Sequence, residues 1–123
     1  ERYSHVTHIV SHVEGRLARG RDGFDAVRAV FPGGTITGCP KVRCMEILAD
    51  LERAPRGPFY GAAGWIAPGG DCELNILIRT ALFRRGVMTA RGGAGVVADS
   101  DPSKEWRETL HKAGALLTAL GHF

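Results

Sequence analysis

The chain has 123 residues, 44% of them hydrophobic and 24% charged, enough for one domain and too few for two. Its 16 Lys and Arg against 13 Asp and Glu leave only +3, interleaved along the sequence, which argues against a nucleic-acid partner. No run approaches the ~18–20 apolar residues of a membrane span and no charged-then-apolar start reads as a signal peptide, so a cytoplasmic protein with no membrane partner is expected.

Residues 5–13, His-Val-Thr-His-Ile-Val-Ser-His-Val, are β-branched and alternate loosely, which predicts a strand. Asp22 suits the cap of a short helix with Phe24, Val27 and Phe31 on one face, and Pro32-Gly33-Gly34 ends it. A loop then runs through Thr35, Thr37 and Gly38 to Pro40, which fits the first position of a second helix. That helix carries Val42, Met45, Leu48 and Leu51 as an apolar stripe, and residues 53–58 break it. Three strands are predicted next, over residues 59–67, 72–83 and 87–97, joined by short polar turns into an antiparallel meander. In the middle strand Leu74, Ile76 and Ile78 point one way, and Asn75, Leu77 and Arg79 the other. Residues 99–103 lead into a last helix that reaches about Leu120. The order predicts an α+β fold, helices packed on an antiparallel sheet. At this size roughly two-thirds of the unfolded surface can be buried, so a core is expected.

Glycine is the compositional outlier: 17 of 123 residues, roughly twice the usual ~7%, clustered in residues 33–38, 57–70 and 92–95. Such clusters suggest backbone that something approaches closely. The three cysteines, Cys39, Cys44 and Cys72, lack Cys-x-x-Cys spacing and read as small buried hydrophobes in a reducing compartment. The chain starts at Glu1 and its first methionine is Met45, so it reads as a piece of a longer protein.

The last helix carries the most chemistry. Trp106, Leu110, Ala113, Leu117 and Leu120 fall within about 80° of one another, a core stripe. Glu105, Glu108 and Lys112 fall within about 60° on the opposite face. Periodicity alone favours a solvated face with a Glu108–Lys112 pair. The functional alternative is two carboxylates for a hard cation such as Mg²⁺, with the lysine meeting a substrate anion. Arg79 interrupts an apolar strand and so needs an anionic partner, a protein carboxylate or a ligand. Gly93 and Gly95 mark either a β-bulge or a place where a ligand comes close. Residues 33–41 resemble a phosphate loop only superficially, because Cys39-Pro40 stands where Gly-Lys-Ser/Thr is needed. His5, His8 and His12 are poorly placed for zinc on one strand, and a single functional histidine is the better reading.

In this order the strings His8-Ile9-Val10-Ser11, Gly34-Thr35-Ile36-Thr37-Gly38-Cys39-Pro40-Lys41, Ile78-Arg79-Thr80, Gly93-Ala94-Gly95-Val96-Val97-Ala98-Asp99-Ser100 and Glu105-x-x-Glu108-x-x-x-Lys112 resemble the chorismate-utilising enzymes. The resemblance covers essentially the whole chain and implies the C-terminal part of an αββα sandwich enclosing the active site. It also overturns the solvated-face reading of the last helix. It implies Mg²⁺ as cofactor, with Glu108 a ligand and Glu105 the neighbouring carboxylate. It further implies Lys112 near the ring carboxylate, Arg79 on the enolpyruvyl carboxylate and Thr35 beside the ring. Gly93 and Gly95 would offer backbone against the substrate, and His8 would lie near the reacting ring edge. The family often has a Tyr two residues after its Arg-Gly step, where this chain has Phe59, so the hydroxyl contact is lost or passes to Tyr60.

Residues 31–38 and 74–80 resemble the aminodeoxychorismate branch more than the anthranilate branch. The expected reaction is therefore amination of chorismate to aminodeoxychorismate, with ammonia from a glutamine amidotransferase subunit or domain. Anthranilate synthase is the alternative, followed by isochorismate or salicylate synthase. The branch's nucleophilic lysine and further metal carboxylates are expected upstream, so these residues alone should not turn chorismate over.

Overall fold

A computed structural model of the chain describes residues 10–121. Helix α1 (Gly23–Val30) starts where Asp22 predicts it. The Asp22 carboxylate accepts from the Asp25 N–H at 3.0 Å and the Asp25 carboxylate accepts from the Asp22 N–H at 3.2 Å, a reciprocal capping box. Such a cap contributes about 1 kcal/mol. Residues Gly34–Thr37 form a single helical turn, α2, where a loop is predicted. Gly38, at φ 91, closes it by donating its N–H to the Gly34 carbonyl at 2.7 Å. Helix α3 (Lys41–Leu51) follows, with Pro40 as its N-cap rather than its first residue, so it starts one residue later than expected.

Strand β1 (Ala62–Ile66) pairs antiparallel with β2 (Cys72–Ile76), Ala62 opposite Ile76 and Ile66 opposite Cys72. A second hairpin joins β3 (Ala81–Arg84) to β4 (Val87–Ala90). Helix α4 (Pro102–Leu120) ends the chain, its N-cap Asp101 accepting from the Lys104 N–H at 2.9 Å. The class is α+β, with three helices of two turns or more, one single turn and two antiparallel hairpins among the described residues.

The meander does not form as predicted. The strand expected over 72–83 splits into β2 and β3, because Arg79 takes a left-handed conformation at φ 50 and turns the chain. Strand β4 stops at Ala90, so Gly93 and Gly95 lie in irregular backbone beyond it. Residues 5–9 of the first predicted strand lie outside the described residues, and residues 10–13 are exposed and form no strand.

The expected core is absent as well. No described residue is buried, and the chain exposes 10691 Å² against about 6,400 Å² for a compact monomer of its mass. The stripes of α3 and α4 exist as stripes, but Val42, Leu51, Trp106, Leu110 and Leu117 are all exposed. Among the described residues, extensive contacts between elements run only within the two hairpins and between α2 and α3. The cysteines are not buried either: Cys39 and Cys72 are exposed and Cys44 is half-buried.

One glycine is dictated by close approach. A Cβ on Gly64 would overlap the Glu73 carbonyl across the β1–β2 ladder. Gly64→Ala in the full-length protein should cost about 1–3 kcal/mol, read as a lower melting temperature. An unchanged melting temperature would show that the ladder relaxes around the methyl group.

Candidate active site

An open cleft of ≈ 670 Å³ brings together most of the residues singled out by sequence. Thr35, Tyr60, Arg79, Gly93, Gly95, Glu108 and Lys112 all line it. Helix α2 supplies Thr35, the open end of the β1–β2 hairpin supplies Tyr60 and Arg79, the loop after β4 supplies the glycines, and α4 supplies Glu108 and Lys112. His8 lies outside the described residues.

On α4 the Lys112 ammonium is shared. Its Nζ lies 2.5 Å from Glu108 Oε1 and donates to the Gly93 carbonyl at 3.3 Å. The pair is one helical turn long and solvent-exposed, worth only about 0.3–0.5 kcal/mol, so it is easily reorganised. Glu105, one turn earlier, does not line the cleft wall. Ser100 Oγ accepts from the Val97 N–H at 3.0 Å and donates to Glu105 Oε1 at 2.8 Å. The other oxygen, Glu105 Oε2, is shut off from solvent and has no hydrogen-bond partner.

An enclosed, unpartnered carboxylate oxygen is costly unless something electropositive meets it. Glu105 and Glu108 therefore suit a Mg²⁺ ion, which takes one or two carboxylates and fills its octahedron with water and substrate oxygens. No group of three or more His, Cys, Asp or Glu side chains gathers among the described residues, so these two would supply only part of its shell.

Arg79 departs from its predicted setting. It is exposed, lies in no strand, and has no carboxylate within ion-pair distance among the described residues. Its guanidinium is thus available to a ligand rather than committed to the protein.

Sequence reasoning missed Glu52, Arg56 and Arg91, which also line the cleft. Just past the end of α3, Arg56 grips Glu52 through Nη2 to Oε1 at 2.6 Å and Nε to Oε2 at 2.8 Å. That hydrogen bonding holds the Glu52 carboxyl below the usual carboxylate range, burial opposing it and the charges of Arg56 and Arg91 assisting. Arg56 is held above its ordinary value, chiefly by the same hydrogen bonds. The i,i+4 spacing of Glu52 and Arg56 was a signal, but it straddles a helix end, where spacing alone does not fix a pair.

Tyr60 sits at a bulge. Its N–H donates to the Leu77 carbonyl at 3.0 Å, and the Leu77 N–H donates to the Gly61 carbonyl at 3.0 Å, so two residues oppose one. Tyr60 takes φ 65, the left-handed position that glycine normally fills in such a bulge. A tyrosine there costs about 1–2 kcal/mol.

Comparisons with known proteins place the chain in a family. Residues 1–118 match the family described as chorismate binding enzyme, and the chain belongs to it. It is 59% identical over 120 residues to an anthranilate synthase component I-like protein of Synechocystis, covering 98% of this chain and 25% of that protein. Anthranilate synthase component 1 of Streptomyces coelicolor is 52% identical and that of Aquifex aeolicus 50%, each over 98% of this chain and 24% of the relative. The chain thus spans about a quarter of the length of the curated relatives it matches. No described helix is long and apolar enough to cross a membrane.

Proposed function

We propose that the cleft binds chorismate and that the full-length protein is an anthranilate synthase component I, forming anthranilate and pyruvate. One observation carries the reading: the cleft holds more cations than it can neutralise. Arg56 and Lys112 are matched by Glu52 and Glu108, while Arg79 and Arg91 have no carboxylate partner among the described residues. Chorismate is a dianion, and two uncommitted guanidinium groups suit its two carboxylates. The names of the relatives support the anthranilate branch over the aminodeoxychorismate branch suggested by residues 31–38 and 74–80.

In this reading Arg79 grips the enolpyruvyl carboxylate, and Lys112 leaves Glu108 to meet the ring carboxylate. Thr35 lies beside the ring, and the 93–95 backbone forms the opposite wall. Glu108 and Glu105 would hold Mg²⁺, Ser100 fixing the rotamer of the latter. When bound, Mg²⁺ supplies Lewis-acid chemistry, drawing electron density out of the ring carboxylate. Ammonia from a glutamine amidotransferase adds at C2 as the C4 hydroxyl leaves as water, the proton lost from the new ammonium balancing the one the hydroxyl takes up. Loss of the C2 proton with cleavage of the C3–O bond then aromatises the ring, and the released enolpyruvate takes up a proton at its methylene carbon to become pyruvate.

Given chorismate, Mg²⁺ and ammonia, the full-length enzyme should release fluorescent anthranilate with equimolar pyruvate and no added lyase. Release of pyruvate only after an aminodeoxychorismate lyase is added would move the protein to the other branch. Failure to consume chorismate under any of these conditions would end the reading.

A further inference from the structure

Three features of the cleft converge on one side chain. The Tyr60 ring lies against Phe59, centroids 3.9 Å apart, and the Arg56 guanidinium carbon stands 5.3 Å from the Tyr60 centroid. Arg56 is itself immobilised by the fork to Glu52. At the far end, the Tyr60 hydroxyl occupies the space a side chain on Gly93 would need: a Cβ there would lie 2.6 Å from it. That hydroxyl has no hydrogen-bond partner among the described residues, and it stands beside the carbonyl to which Lys112 donates.

A bulky residue held in a left-handed bulge, with its polar tip free of any described protein partner and facing a cleft, points to function rather than packing. Nothing in the local backbone favours a tyrosine at this position. Its ring must be held from outside, and the Arg56 cation over the ring face does so.

We infer that Arg56, clamped by Glu52, is a positioning residue that holds the Tyr60 hydroxyl at Gly93 so that it donates to a substrate carboxylate. The inference rests on the chorismate reading and extends it, because it has Arg56 and Glu52 act through Tyr60 rather than on the substrate. It makes Tyr60 the hydroxyl donor that Phe59 cannot be. It also accounts for glycine at position 93, since any side chain there would displace the hydroxyl.

The test is a double-mutant cycle in the full-length enzyme, with chorismate as substrate and kcat and KM read separately. Arg56→Lys keeps the charge but loses the planar fork, and Tyr60→Phe removes only the hydroxyl. Each should raise KM about tenfold with kcat within about threefold of wild type, and the double variant should be no worse than the poorer single one. Glu52→Gln should reproduce the KM effect of Arg56→Lys should the latter fold poorly. Tyr60→Gly should keep or raise the melting temperature while raising KM, because glycine takes the left-handed position without strain. Multiplying KM effects in the double variant, or a lowered melting temperature with unchanged KM in Tyr60→Gly, overturns the inference. A wild-type enzyme that ignores chorismate overturns the underlying reading and this inference with it. Wild-type turnover with non-coupled variants overturns the inference alone.

Discussion

Glu108→Gln in the full-length enzyme should raise the Mg²⁺ concentration for half-maximal activity by about tenfold or more and depress kcat at saturating metal. Gln keeps the shape of the side chain and an oxygen, but not the charge a hard cation requires. Stability should scarcely change, because Glu108 is half-exposed and its only ion pair among the described residues, to Lys112, is a weak surface pair. The variant thus separates metal binding from folding. A magnesium titration by calorimetry alongside the kinetics would check both. Unchanged magnesium dependence would return Glu108 to the role of a solvated helix face whose business is Lys112.

The second large effect is expected at Arg79. Arg79→Lys should lower kcat/KM for chorismate about tenfold or more, equivalent to about 1.4 kcal/mol of transition-state stabilisation. Lysine carries the same charge and the same backbone cost at φ 50, so the comparison isolates the planar two-point grip on a carboxylate. Because Arg79 has no protein carboxylate to stabilise among the described residues, the change should leave the melting temperature where it was. Kinetics equal to wild type would show that a point charge suffices at this position.

The elements most legible in the sequence were those with end signals. Asp22 and the stretch 99–103 mark the starts of α1 and α4, and the helices begin after Asp22 and at Pro102. The strands were harder, for a reason visible at Arg79. The apolar row Leu74, Ile76 and Ile78 runs straight up to Arg79 in the sequence, and side-chain periodicity is blind to the sign of φ, so nothing announced the left-handed residue that divides β2 from β3. Likewise the stripes on α3 and α4 identify faces without saying what covers them. Within the site, strings in a fixed order located Thr35, Arg79, Gly93 and Lys112, which the fold brings to one cleft. Glu52, Arg56 and Arg91 escaped, because their roles depend on how the end of α3 meets the loop after β4, which no local pattern encodes.

The β1–β2 hairpin separates chemistry from its own turn. Tyr60 and Arg79 stand at the open end, whereas Ala67 and Asp71 close the ladder at the other, five residue pairs away. At the tip, a side chain on Gly69 would meet nothing within 4 Å. The hairpin is therefore a natural handle for instrumentation: Gly69→Cys would accept a fluorophore or spin label without entering the cleft. Lengthening the loop between 68 and 70 should be tolerated for the same reason, since flexible loop closure costs grow only slowly with length. A single residue inserted within β1 or β2 is a different matter. It would shift the ladder by one and turn each strand face over, carrying Tyr60 away from Gly93 while leaving the composition of the hairpin almost untouched.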